Sequence, residues 1–287
     1  MCDQDHLEKD LEEYEKLGLV TRKQFGMMLG AGVAMLLPKV ANAVTVVEED
    51  VNVKTPDGTA DCYFVHPATG TAAAVLFWPD IFGLRPAVRQ MGKRLAESGY
   101  SVLVVNPFYR TKKAPTADQG GKTPIAQVLP LAQTLNETTH FTDAKAFIGW
   151  LDQQPSVNKN RKVGTQGYCM GGPMAFRTAA AVPDRVGAVA SFHGGNNLAT
   201  NMPNSPHLQA AKSKAQFLIA IASNDDAQAP NEKDTLKDTF AKANLQAEIE
   251  VYKGMHGWCP PDSTVYNEPD AEKAWSRLLV LYGKALA

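Results

Sequence analysis

One cysteine of this chain lies in a setting suited to nucleophilic chemistry. Cys169 is the third residue of Gly-Tyr-Cys-Met-Gly-Gly, which follows a strand-like apolar stretch and precedes a helix-like one. A sharp strand-to-helix turn exposes the side chain at its apex, and it needs flanking glycines because any other residue there would collide with backbone. The start of a helix also lowers the pKa of a thiol. The pattern predicts a nucleophile at Cys169; the alternative is an inert core cysteine in a tight turn.

A cysteine nucleophile needs a histidine base, and position along the chain selects one. In α/β-hydrolases the nucleophile is followed by the acid and then by the histidine. Three of the six histidines precede the turn, and two others come before any plausible acid (His6, His66, His140, His193 and His207). His256 remains, just after the last predicted strand. We expect it to take the thiol proton and later to protonate the leaving oxygen.

Two adjacent carboxylates between Cys169 and His256 are candidates for the acid. Asp225 and Asp226 follow the apolar segment 219–222. Taken alone, such a pair is typical of a solvated loop, but its place between nucleophile and histidine favours a role. We predict that Asp226 holds the imidazole in its useful tautomer, with Asp225 as the alternative.

Two backbone N–H groups are predicted to form the oxyanion hole. One belongs to Met170, directly after the nucleophile, and the other to Ile81, in the loop after an early strand.

The elements that must position these residues alternate between strands and helices. Segments 44–53 and 60–65 predict a hairpin around Pro56, Asp57 and Gly58. Further strands are predicted over 72–78, 101–105, 162–166, 186–192, 216–222 and 247–251, and helices over 86–98, 142–151, 171–182 and 271–282. This alternation predicts an α/β fold, a mostly parallel sheet with helices on both faces and an antiparallel hairpin at its start. Segments 111–124 and 194–206 are predicted to be surface loops.

Composition excludes several classes of function. The chain has 287 residues, 29 basic against 30 acidic, and a formal charge of -1. This balance of charges does not produce the positive electrostatic field that nucleic-acid binding needs. No apolar run reaches the roughly 18 residues of a membrane span. Four cysteines without paired short spacing predict neither a zinc site nor a disulfide scaffold, and the absence of C-x-x-C argues against a thiol redox protein.

The first 43 residues have the order of an export signal. Arg22 and Lys23 precede Phe25, an apolar run over 27–37 follows, and Ala41-Asn42-Ala43 matches an A-x-A cleavage site. The basic pair resembles a twin-arginine signal with Lys in place of the second Arg. We predict recognition by export machinery, a periplasmic location and one mature domain over 44–287. The alternative is an amphipathic helix packed on that domain.

These motifs resemble the dienelactone hydrolase family. The resemblance is carried by the Cys169 segment, by Asp80-Ile81-Phe82-Gly83, by Asp226 four residues before Pro230, and by His256-Gly257. It implies a cofactor-free α/β-hydrolase that opens a lactone or ester through a Cys-His-Asp triad. The family has Glu where Asp80 stands, a carboxylate that helps to generate the thiolate, so the resemblance assigns that role to Asp80.

The same resemblance implies a small-molecule substrate but leaves its contacts open. Pro260 stands where the family has an arginine for the substrate carboxylate, and Arg85 or Arg110 could replace it unless both are surface charges. Aromatic residues flank the predicted site loops and form either an apolar wall or ordinary core (Trp78, Phe82, Tyr109 and Trp258). Cys62 and Cys259 are either disulfide-bonded or free buried thiols. The alternative function is a small-molecule binding protein that keeps the fold without the activity.

Overall fold

One eight-stranded sheet forms the frame of the molecule. The computed structural model describes residues 37–40, 42–118 and 123–287. Most of the predicted export signal therefore lies outside the described residues. The strands are β1 (Val46–Thr55), β2 (Gly58–Pro67), β3 (Ala73–Trp78), β4 (Tyr100–Val105), β5 (Val163–Tyr168), β6 (Val186–Phe192), β7 (Gln216–Ile221) and β8 (Ala247–Val251).

The strand order reverses direction at the middle of the sheet. The order is β1-β2-β4-β3-β5-β6-β7-β8; β1, β2 and β4 pair antiparallel, and β4 to β8 pair parallel. Strand β4 lies on one side of β3 and β5 lies on the other side. The chain therefore reverses its direction across the sheet between β4 and β5. Ligands of open α/β sheets bind outside the carboxyl ends of the strands at such a reversal. The predicted mostly parallel sheet is confirmed.

The N-terminal hairpin has the predicted turn. Thr55 pairs with Gly58, so Pro56 and Asp57 are the only residues between the two strands. Gly58 has a φ of 144°, which only glycine adopts readily and which explains its place at the start of β2.

Helices cover both faces of the sheet. They are α1 (Pro86–Glu97), α2 (Ile125–Ala132), α3 (Glu137–Leu151), α4 (Gly171–Ala181), α5 (Pro206–Ala210), α6 (Ser223–Gln228), α7 (Glu232–Lys242) and α8 (Glu268–Ala285). One apolar core lies between the sheet and α3, α4 and α7, and the other between the sheet and α1 and α8. Every residue of β3, β4, β5 and β6 is buried, as expected of strands covered on both faces.

Four helices were not predicted from the sequence, because their local patterns are weak. Helix α6 reads Ser-Asn-Asp-Asp-Ala-Gln and has no apolar face, and α2 contains Pro130. Helix α7 buries only Leu236 and Phe240 among its apolar residues. Within the described ranges, no helix is both long and apolar enough to cross a bilayer.

Candidate active site

Cys169 lies at the apex of a strained turn between β5 and α4. Its φ is 50°, in the left-handed region that non-glycine residues rarely occupy. The Cys169 N–H donates to the Phe192 carbonyl at 3.0 Å, and the Cys169 carbonyl accepts from the Gly172 N–H at 2.9 Å. The turn is thus fixed both to the end of β6 and to the start of α4. Such strain clusters at functional sites, where the surrounding structure holds it in place.

The glycines around Cys169 are required by close backbone approach. A Cβ on Gly167 would lie 1.9 Å from the Gly171 carbonyl oxygen. A Cβ on Gly171 would lie 2.5 Å from the Trp78 carbonyl oxygen, in the chain leaving β3. The turn therefore packs directly against the loop after β3, and the glycine requirement inferred from the sequence is confirmed.

His256 is held by two side chains that follow β7. Its backbone N–H donates to Asn224 Oδ1 at 2.7 Å, and its Nδ1 lies 3.0 Å from each carboxylate oxygen of Asp225. Asp225 is 1% exposed and His256 is 7% exposed. A hydrogen bond from Nδ1 to a buried carboxylate leaves Nε2 as the nitrogen that can exchange a proton with another group.

The choice of Asp226 as the partner of His256 is wrong. Asp226 forms an ion pair with Lys233 of α7 at 2.6 Å, and Asp225 takes the position against the imidazole. The two carboxylates lie in the first turn of α6, where consecutive side chains point about 100° apart. Only one of them can face His256.

The environment of His256 favours its charged form. Burial disfavours the imidazolium, but the charges of Asp225 and of a Cys169 thiolate, with hydrogen bonding to both, raise the pKa of His256 well above its usual range.

Two N–H groups near the turn have no acceptor within the described part of the chain. They belong to Met170, the N-cap of α4, and to Ile81, in the loop after β3. Both residues are buried, at 7% and 2% exposure. Unpaired buried donors are costly unless a ligand or water accepts from them, which is the condition of an oxyanion hole.

The carboxylate of Asp80 is bound to Arg85. The Arg85 guanidinium donates to Asp80 at 2.6 and 2.9 Å and to Asp262 at 2.7 and 2.9 Å. The Phe82 N–H also donates to Asp80, at 2.9 Å. These contacts do not support the predicted activation of Cys169 by Asp80. They show instead that Arg85 connects the loop of Ile81 to the loop that follows His256.

The three residues predicted to contact the substrate, Arg110, Trp258 and Phe82, differ in their partners and in their exposure to solvent. Arg110 is bound by Asp57 and by Asp143, each through hydrogen bonds of 2.6 to 3.1 Å. Trp258 is 0% exposed and stacks on Tyr252, so it forms core and not an apolar wall of the site. Phe82, in contrast, is partly exposed and directly follows Ile81.

The buried cysteines other than Cys169 are free thiols, and the suggested disulfide is not formed. Cys62 lies in the core under α3 and α4, while Cys259 lies in the core on the other face of the sheet. Burial raises the pKa of both thiols, which makes them inert. Across the described ranges, no group of three or more His, Cys, Asp or Glu residues is arranged to hold a metal ion.

Comparison with known families fits this geometry. The sequence profile of the dienelactone hydrolase family matches residues 60–286, nearly all of the part that contains the sheet. The chain belongs to the dienelactone hydrolase family. As a member it is a hydrolase of lactone or ester bonds with the α/β-hydrolase fold.

Individual dienelactone hydrolase relatives are distant in sequence and similar in fold. A carboxymethylenebutenolidase of Rhodococcus opacus is 26% identical over 238 residues, covering 81% of this chain and 90% of the relative. A probable 2-oxo-3-(5-oxofuran-2-ylidene)propanoate lactonase of Bradyrhizobium is 24% identical over 245 residues, covering 82% and 94%. The crystal structure of a putative dienelactone hydrolase of Klebsiella pneumoniae superposes with a TM-score of 0.71 at 20% identity, covering 84% and 99%.

Sequence reasoning missed one residue that lies beside His256 in the structure. His193 follows β6 with a φ of 39°, is 0% exposed, and packs its ring against those of His256 and Trp258. The chain-order argument excludes His193 as the base because it precedes any plausible acid along the chain. The signal that could have identified it is its place directly after a strand next to β5, at the same edge as Cys169.

Proposed function

We propose that the protein hydrolyses a lactone or carboxylic ester through a thioester on Cys169, with His256 as base and Asp225 as the acid that orients it. The observation that carries the proposal is the buried His256–Asp225 pair at the same edge of the sheet as the strained Cys169 turn. The unpaired N–H groups of Ile81 and Met170 support it, since they are suited to a developing oxyanion.

In the acylation step, the Cys169 sulfur attacks the carbonyl carbon and a C–S bond forms. His256 holds the thiol proton, and the Ile81 and Met170 N–H groups donate to the carbonyl oxygen as it gains charge. When the C–O bond breaks, His256 gives its proton to the leaving oxygen. From a lactone that oxygen stays on the acyl chain, and from an open ester it leaves as an alcohol.

Deacylation reverses the roles with water as the nucleophile. His256 accepts a proton from water, whose oxygen attacks the thioester carbonyl, and the C–S bond breaks as the sulfur takes the proton back. The product is a carboxylic acid, and Cys169 returns to its starting state. Asp225 stays ionised throughout and keeps Nδ1 protonated.

The first test is hydrolysis of a dienelactone and of short p-nitrophenyl esters by wild type, Cys169→Ala and Cys169→Ser. We expect wild-type turnover and loss of essentially all of it in Cys169→Ala, with mass spectrometry showing the acyl group on wild type alone. Equal rates for wild type and Cys169→Ala would refute the proposal and favour a binding protein with this fold.

Lactones are the first substrates to try. The Rhodococcus relative is named a carboxymethylenebutenolidase and the Bradyrhizobium relative a lactonase. A cyclic ester keeps its leaving oxygen next to His256, which suits the sequence of steps above.

We also propose that the chain is exported, with cleavage after Ala43. The proposal rests on the basic pair at 22–23, the apolar run and the A-x-A site in that order. Fractionation and N-terminal sequencing test it, with Val44 expected as the first residue of a periplasmic product. A cytoplasmic product that begins at Met1 would contradict it, and Arg22→Lys with Lys23→Gln is the matched variant that should block export.

A further inference from the structure

The two arginines that the sequence suggests for a substrate carboxylate, Arg85 and Arg110, are each bound by two carboxylates. Arg85 lies five residues after Asp80 and reaches Asp262 beyond His256. Arg110 follows β4 and reaches Asp57 in the hairpin turn and Asp143 in α3. Each group contains two acids and one base, so each carries a net charge of -1 when ionised.

No donor of Arg85 is left for a substrate. A guanidinium has five N–H groups. The Arg85 Nε–H goes to Asp262, one NH1 hydrogen to Asp80 and the other to the Gly83 carbonyl at 3.3 Å, and the NH2 hydrogens go to Asp80 and Asp262. The side chains of Arg85, Asp80 and Asp262 are 3%, 8% and 2% exposed. A substrate carboxylate could bind Arg85 only by displacing an existing buried ion pair.

The Arg110 group is almost as complete. Four hydrogen bonds join it to Asp57 and Asp143, and Tyr109 donates to Asp143 at 2.8 Å. The Asp143 side chain is 2% exposed. The Asp57 side chain is 44% exposed, so only the Asp143 end of this group is buried.

The Arg85 group includes Asp80, on the same loop as Ile81, whose N–H is a proposed oxyanion donor. Asp80 directly precedes Ile81, and its carboxylate accepts from the Phe82 N–H. The excess charge is thus one residue from a proposed oxyanion donor. The side chain that follows is the partly exposed aromatic ring of Phe82, an apolar surface.

We infer that this site takes an uncharged ester or lactone and selects against a substrate that carries a carboxylate next to the scissile bond. The inference rests on the proposed function and gives the chemical class of its substrate. It follows from the net negative charge next to the oxyanion donor and from the complete pairing of Arg85. The neutral acyl or lactone ring lies against Phe82.

The experiment compares matched substrates that differ by one charge. The open pair is p-nitrophenyl butyrate and mono-p-nitrophenyl succinate, and the cyclic pair is a dienelactone methyl ester and its free acid. We expect kcat/KM to be at least about tenfold higher for the neutral member of each pair. Raising NaCl from about 0.02 M to about 0.5 M should change this ratio of kcat/KM values little, because the charges of the Arg85 group are buried.

Two variants sharpen the comparison. Asp262→Asn removes the excess negative charge of the Arg85 group. It should reduce the ratio of kcat/KM for the neutral substrate to kcat/KM for the anion. Lys113→Ala removes an exposed cation from the described chain before residue 118 and should leave the preference as it is. Equal or higher kcat/KM for the anion in wild type, lost in the lysine variant, would overturn the inference.

Failure of the proposed function gives a different result. Neither substrate would then be hydrolysed faster by wild type than by Cys169→Ala. The inference is still tested in that event by calorimetric binding of the lactone ester and its free acid to Cys169→Ala, with tighter binding of the ester expected. Tighter binding of the acid would refute it.

Discussion

The ring of His193 meets the ring of His256 edge to face, with the two centroids 5.2 Å apart and an interplanar angle of 64°. His193 is fully buried, and neither of its ring nitrogens has a hydrogen-bond partner among the residues that the structure describes. Burial, and then the charge of His256, lower the pKa of His193 well below its usual range. A neutral imidazole therefore lies against the imidazole that holds the catalytic proton in the proposed mechanism.

This arrangement predicts a loss of stability in acid that depends on His193. Its pKa is lower in the folded than in the unfolded state, so its contribution is fully present above about pH 6.5 and is lost as the pH falls toward its folded pKa. The free energy of unfolding should decrease by up to about 1.4 kcal/mol per pH unit in that window. Urea unfolding of wild type and His193→Phe from pH 7.5 to 5 measures the difference. The unfolding free energy of His193→Phe should fall less steeply with decreasing pH than that of wild type. Equal slopes for the two proteins would contradict the lowered pKa of His193.

Adjacent aspartates predict opposite outcomes for two conservative variants. Asp225→Asn removes the carboxylate that orients His256, and we expect kcat to fall by a factor on the order of 10³ to 10⁴. Asp226→Asn removes only the ion pair with Lys233 and should stay within about threefold of wild type. Steady-state hydrolysis of one ester by both variants checks this. A larger loss of kcat in Asp226→Asn than in Asp225→Asn would assign the orienting role to Asp226.

Backbone contact at the turn predicts that one glycine cannot be replaced. A Cβ on Gly167 would meet the Gly171 carbonyl at 1.9 Å, so Gly167→Ala should lose more than about 3 kcal/mol of unfolding free energy or fail to fold. Gly149 is the matched control, because it is exposed in α3 and a Cβ there meets nothing within 4 Å. Gly149→Ala should gain up to about 1 kcal/mol. Denaturant titration measures both, and tolerance of Gly167→Ala would rule out the tight turn.

Breaking the buried Arg85 group should lower the free energy of unfolding more than breaking an exposed ion pair does. Arg85→Gln would leave Asp80 and Asp262 facing each other inside the protein, and we expect a loss of about 3 to 5 kcal/mol. Lys237→Gln breaks an exposed pair with Asp234 and should cost less than about 1 kcal/mol. Thermal or urea unfolding compares them. If Arg85→Gln costs no more than Lys237→Gln, the guanidinium does not connect the two loops.

The sequence alone determined the order of the eight strands, four of the helices and the turn that carries Cys169. Strands 186–192 and 247–251 were predicted with the observed bounds, because branched apolar residues between turn signals are a local pattern. The glycines around Cys169 were likewise readable, since their requirement comes from atoms only a few residues away.

Only the tertiary structure decided which side chains meet. Asp225 and not Asp226 faces His256 because α6 turns one carboxylate inward, and that helix has no apolar pattern to reveal it. His193 reaches His256 because parallel strands end at a common edge. Arg85 contacts Asp262, 177 residues away along the chain, because the loops that carry them follow strands that end at that same edge. Such contacts depend on how distant loops pack together, and no local sequence pattern specifies that.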